Sequence, residues 1–192
     1  MTMKRFSILS LTLLSAMLFL SSCADMKQTK DLYDDWWPVH ASGTFENDNF
    51  TAKWDGNLGI HGDILIKFVS KKNPALSYED TKYYPAYEFS KSKKTYSTIS
   101  IESLGDMHTV LKGLEFKVKG GMIYFEKAND RGKGTGELDE GRPLKFINDN
   151  TVQIGDVTYE RYKYFKDKHP EVFKPYSEMG FDLDRIPITR VD

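Results

Sequence analysis

The chain has 192 residues, of which 28 are Asp or Glu and 27 are Lys or Arg, and it carries a single cysteine. So even a balance of charge is not that of a protein built to track nucleic-acid phosphates, and one thiol excludes an internal disulfide framework or a cysteine-rich metal site. Aromatic residues make up 14% of the sequence, which favours strands, because bulky flat side chains suit a half-buried pleated surface.

Lys4 and Arg5 give the beginning of the chain a positive charge, and Phe6 to Leu20 follow as an almost uncharged apolar run. The run is shorter than the roughly 20 apolar residues that span a bilayer. It ends in the small residues Ser21 and Ser22, as a signal-peptide cleavage site requires. The tetrapeptide Leu20-Ser21-Ser22-Cys23, with the one cysteine last, resembles the lipobox of bacterial lipoproteins. That resemblance implies a signal peptide over residues 1–22, several acyl chains of the palmitate kind on Cys23, and a protein held in the cell envelope by lipid. Several chains give stable anchoring where one is marginal. By resemblance to the sorting of Gram-negative lipoproteins, Ala24 after the cysteine implies the outer membrane. Removing Lys4 and Arg5 with the leader leaves 25 basic against 28 acidic residues, a net charge of −3 on 170 residues. That length is enough for one domain with a real core.

Residues 23–35 are polar and lack periodicity, the expected character of a flexible tether. From Trp36 the pattern changes to short runs separated by turn chemistry. Gly120-Gly121 and Gly155-Asp156 each stand between two strand-like runs and read as two-residue hairpins, whose primed turns need positive φ. Asn47-Asp48-Asn49 and Asn148-Asp149-Asn150 read as slightly longer hairpin loops. Between the turns, Phe50, Ala52 and Trp54 alternate with Thr51 and Lys53, and Leu114, Phe116 and Val118 alternate with Glu115, Lys117 and Lys119. Such alternation means one wet and one dry face. Ile64–Val69, Tyr84–Phe89 and Tyr96–Ile101 fit strands by their β-branched and aromatic content.

Residues 36–165 are therefore expected to form an all-β domain of about 8–10 strands, an antiparallel meander that closes into a barrel because closure removes exposed edges. Residues 166–192 follow as an irregular C-terminal extension. Ser42-Gly43-Thr44-Phe45 resembles the opening strand of the lipocalin-like domains of bacterial lipoproteins. The segment from Phe146 to Tyr162, ending Tyr159-Glu160-Arg161-Tyr162, resembles their closing hairpin. The resemblance implies that Arg161 lies across an aromatic ring of the first strand and closes one end of the barrel by a cation–π contact. Phe45 stands where the family motif prefers Trp, so Trp36 and Trp37 are the other candidates for that ring.

Catalytic arrangements are sparse. His40, His61, His108 and His169 are scattered without the i, i+4 spacing of a helical metal site. Gly132-Lys133-Gly134-Thr135-Gly136 reads as a hairpin loop, since neither a buried strand nor a following helix frames it as a phosphate cradle. No Gly-x-Ser-x-Gly elbow occurs. No enzyme activity, metal or cofactor is expected.

The aromatic residues point to binding instead. Trp54, Phe68, Tyr87, Phe89, Phe116 and Tyr124 are the candidates to line a barrel interior that holds a small hydrophobic ligand, while the same residues would equally serve as a filled core. A second reading makes the domain a protein-interaction or assembly lipoprotein of the envelope, working through its rim and the segment Phe165–Asp192. A third, ranked last, is glycan stacking on Trp36, Trp37, Tyr83 and Tyr84. The expected partners are the membrane, through lipid on Cys23, with a small apolar ligand or an envelope protein.

Overall fold

The computed structural model of the chain describes residues 23–101 and 107–178. Residues 1–22, expected to be a signal peptide, and residues 179–192 of the expected extension lie outside the described residues.

The chain folds as an all-β protein around a closed, eight-stranded antiparallel barrel. The ring runs β1 (Asp35–Glu46), β5 (Ala86–Ser90), β6 (Thr95–Ile101), β7 (Met107–Lys119), β8 (Met122–Ala128), β10 (Arg142–Asn148), β11 (Thr151–Ile154) and β12 (Val157–Arg161). It closes where β12 returns to β1, with Trp36 opposite Arg161 and Ala41 opposite Val157. The meander leaves the ring twice. β2 (Phe50–Asn57), β3 (Asp63–Ser70) and β4 (Ser77–Tyr83) form a wing built on the second half of β1, and β9 (Gly134–Leu138) pairs with the outer part of β8. Strand β1 serves both barrel and wing, and its register against β12 shifts between Pro38 and His40. A proline cannot donate to a ladder and settles at such an irregularity.

The four turns read from the sequence all connect neighbouring strands. Gly120 and Gly121 sit at φ 60° and 73° between β7 and β8, and Gly155 at φ 62° between β11 and β12. Asn47 Oδ1 accepts the Asn49 and Phe50 amides at 2.9 and 2.7 Å, closing the β1–β2 loop.

Successive side chains of a strand point to opposite faces, and the Trp36-Trp37 pair uses this fully. Trp36 is completely buried inside the barrel among Leu32, Tyr87, Phe89, Tyr159 and Val152, whereas Trp37 is buried on the outside with Ile60, Ala86, Ile99, Phe165 and Phe173. Phe165 and Phe173 come from two short helices, α2 (Tyr162–Lys168) and α3 (Pro170–Glu178), laid over the barrel wall.

Residues 23–35 are not the expected flexible tether. Residues 23–32 form a helix, α1, that closes one end of the barrel, and its Leu32 is fully buried. The Leu32 carbonyl accepts the Trp36 indole N–H at 2.7 Å, and Asp25 Oδ1 accepts the Gly120 amide at 2.9 Å. Tertiary contacts, not helix periodicity, order this segment.

The ring beneath Arg161 is that of Trp36, 4.6 Å away, rather than Phe45 or Trp37. Phe45 lies far out on the wing, edge-on to Phe68 at 5.4 Å, and Trp37 packs on Tyr162 at 5.2 Å. Arg161 also donates to the carbonyls of Asp31 at 2.9 Å and Asp149 at 2.6 Å and pairs with Asp34. It therefore fastens the C-terminal turn of α1, whose carbonyls lack helical donors, to the closing strands.

Candidate functional site

The two ends of the barrel differ. Toward α1 the interior is filled: Phe89 and Phe116 meet edge-on at 4.9 Å, Tyr87 stacks on Phe125 at 5.1 Å, and Tyr96 meets Phe125 at 4.7 Å. At the opposite end lies a half-open cavity of about 480 Å³, its floor formed by Tyr87, Phe125 and Tyr159 and its apolar wall by Leu111 and Ile154.

Strand ends and turns bring polar groups to this mouth. Arg142, the first residue of β10, directs Nη1 to the Tyr87 hydroxyl at 3.2 Å and Nη2 to Asp139 at 3.4 Å, with its guanidinium 5.2 Å over the Phe125 ring. Asp156 in the β11–β12 turn accepts the Tyr84 hydroxyl at 3.0 Å and pairs with Lys82 at 3.3 Å. Lys82 in turn sits 4.9 Å from the Trp54 ring and 4.8 Å from that of Tyr84. The backbone of Gly62, at φ 71°, accepts the Tyr84 amide at 2.7 Å and so sets the entry into β5.

Electrostatics fixes the charge states at the mouth. Burial holds the Tyr159 phenol well above its ordinary range, raises that of Tyr87, and pushes Tyr96 up to about 12. All three are neutral near pH 7, able to donate and to accept. Burial opposes the charge of Arg142, but Tyr87, Asp139 and Tyr159 outweigh it and raise its pKa. Burial likewise opposes the charge of Lys82, and Tyr84 and Asp156 outweigh it. The mouth thus offers an aromatic floor, neutral hydroxyls and two held cations.

Of the residues selected from the sequence, Tyr87 lines this cavity. Phe89 and Phe116 belong to the filled core beneath it. Trp54 and Phe68 stand on the wing, Phe68 stacked on Tyr78 at 4.8 Å. Tyr124 alternates with the inward-facing Ile123 and Phe125 and so lies on the outer face of β8. The structure does not bring these six together.

Arg142, Lys82, Tyr84, Tyr96, Asp156 and Tyr159 were not anticipated in the mouth. Arg142 follows a stretch rich in Gly and acidic residues and looks like a surface charge in sequence; Asp156 is visible there only as half of a turn. Cys23 is exposed at the start of α1. Among the described residues, no group of three or more His, Cys, Asp or Glu side chains is placed to hold a metal ion. Comparison with protein-family models, with curated proteins and with solved structures gives no match.

Proposed function

We propose that this chain is a lipid-anchored binding protein of the bacterial cell envelope, tethered to the outer membrane through Cys23, that holds a small hydrophobic molecule in the barrel mouth and performs no catalysis. The observation that carries this reading is the cavity itself. Its volume of about 480 Å³ falls within the roughly 300–1,000 Å³ of small-molecule sites, which pair a mostly apolar lining with a few placed polar groups. An apolar body would rest on Tyr87, Phe125, Leu111 and Ile154, and a polar or anionic end would face Arg142 and Lys82.

Native mass spectrometry of the chain purified gently from its own envelope fraction tests the reading. A co-purifying small mass, released when Arg142 and Tyr87 are replaced, supports it. An empty protein that also fails to bind fatty acids or hydrophobic dyes saturably overturns it.

The assembly reading is favoured by a different observation. The wing exposes Leu65, Leu76, Tyr78 and Tyr83, and β4 ends the strand order with no further strand on its outer side among the described residues. Such an edge is a template for pairing. Co-purification of a protein, lost when β4 receives a proline at Thr81, would put this role first.

A further inference from the structure

The helix that closes the barrel carries a second feature, at the end opposite the mouth. An open groove of about 780 Å³ runs between α1, the β5–β6 turn and the end of β7. Five lysines line it, Lys30, Lys91, Lys94, Lys117 and Lys119, against one carboxylate, Asp25. All five lysines are exposed, and none is ion-paired with a described residue. The Asp25 carboxylate is engaged by the Gly120 amide. The protein as a whole is slightly acidic, so this concentration of cations is local.

Their placement relative to Cys23 is the second observation. Residues three, four and seven apart share a helix face, which sets Cys23, Met26, Lys27 and Lys30 in one stripe along α1. Met26, 57% exposed, is the apolar member of that stripe and lines the groove. The cysteine, an exposed apolar side chain and the lysines therefore face the same way.

We infer that this groove docks on the anionic phospholipid headgroups of the bilayer that holds Cys23, so that the barrel stands on its closed end with the mouth turned toward water. The inference rests on the tether proposed above. Lysines are compact, strongly hydrated point charges, and five of them spread over three chain segments with no buried cation among them match a charged surface, not a single small anion. Each lysine close to an anionic leaflet adds an attraction that fades within a Debye length. The consequence for function is directional: a ligand enters the mouth from the aqueous side instead of sliding in from the membrane.

The experiment uses the full chain made in a bacterial host. The mass of the Cys23 peptide first reports acylation. The chain is then placed in vesicles of phosphatidylcholine alone or mixed equally with phosphatidylglycerol, with a spin label at Lys93→Cys or at Tyr83→Cys. Accessibility to lipid-soluble and water-soluble relaxation agents reads the depth of each label. The expected result is headgroup depth at position 93 in the anionic vesicles only, loss of that depth in high salt, and a water-exposed label at position 83 throughout. Joint reversal of Lys91, Lys94, Lys117 and Lys119 to Glu, or the milder change to Gln, should return position 93 to water. An acylated chain whose position 93 is equally wet in both vesicles overturns the inference and leaves the tether standing. If Cys23 proves unacylated, the tether reading and the orientation built on it fail, and the groove's affinity for anionic headgroups is judged by sedimentation with the same vesicles: a loss of about a hundredfold or more on reversal upholds that affinity, and no loss sinks it.

Discussion

The guanidinium of Arg161 lies 4.6 Å over the indole of Trp36, directly across the seam where the last barrel strand meets the first. Trp36 is fully buried and Arg161 partly so, and the indole N–H is bound to α1. One pair of side chains thus joins the ring closure to the helix that caps it.

Replacing Arg161 with Met keeps the stem packed on Trp36 and removes the charge, the donors to Asp31 and Asp149, and the partner of Asp34. The expected loss of stability is about 2–3 kcal/mol, the range for a partly desolvated cation–π contact together with charge-assisted hydrogen bonds. Urea unfolding measures it. Hydrogen exchange should show α1 amides opening before those of β6 and β7, and an unchanged exchange pattern would contradict the fastening role.

Asp35 supplies a pH dependence. Burial, then the charges of Glu88 and Asp34, push its carboxyl from 3.8 up to about 6. Because the folded state binds this proton more tightly, the associated stability is present below pH 3.8 and is lost as pH rises through about 6. Above that the ionised carboxylate opposes folding by on the order of 3 kcal/mol. Asp35→Asn should therefore melt higher than the parent near neutral pH, with the gap closing in acid. A constant gap across the titration would rule the assignment out.

Leu111→Trp tests whether the mouth is a working cavity. The indole is expected to fill space bounded by Tyr96, Phe125 and Ile154, weakening saturable binding of a hydrophobic dye at least about tenfold while stability falls by no more than about 3 kcal/mol, the upper range for adding bulk to a packed site. Equal dye binding by parent and variant would place the dye elsewhere.

The α2–α3 clasp has its own core. Phe165 and Phe173 meet at 5.5 Å and cover Trp37. Phe165→Ala should cost about 3–4 kcal/mol, the scale for emptying a buried aromatic site, and should raise the fluorescence accessibility of Trp37 to a soluble quencher. A loss below about 1 kcal/mol would mean the helices contribute little to the barrel.

Much of the barrel was legible because its signals are local. Gly120-Gly121 and Gly155-Asp156 announce their hairpins through backbone conformations few other residues adopt, and Leu114, Phe116 and Val118 announce the dry face of β7. Strands β4 and β9 gave no such signal, since nearly every residue in them is exposed and no alternation marks a buried side. Helix α1 was hidden for the opposite reason: a single fully buried residue, Leu32, secures it, and the groups that hold it are distant in sequence. The mouth suffered similarly. Alternation tells which side a residue takes but not whether that side belongs to the barrel or the wing, so in sequence Trp54 and Phe68 look the same as Tyr87. The closing contact of Arg161 followed from family resemblance, and only the fold selects Trp36 as its partner.

The wing and the mouth share material: Lys82 and Tyr83 end β4, and with Tyr84 they form one wall of the cavity. If the cavity and the β4 edge each take a partner, this shared wall is the place where the two occupancies would be coupled. If a molecule in the mouth changes the affinity of that edge for anything that pairs with it, the edge's occupant must change the affinity of the mouth by the same factor. A carrier built this way would exchange information between what it holds and what it touches without a separate regulatory domain.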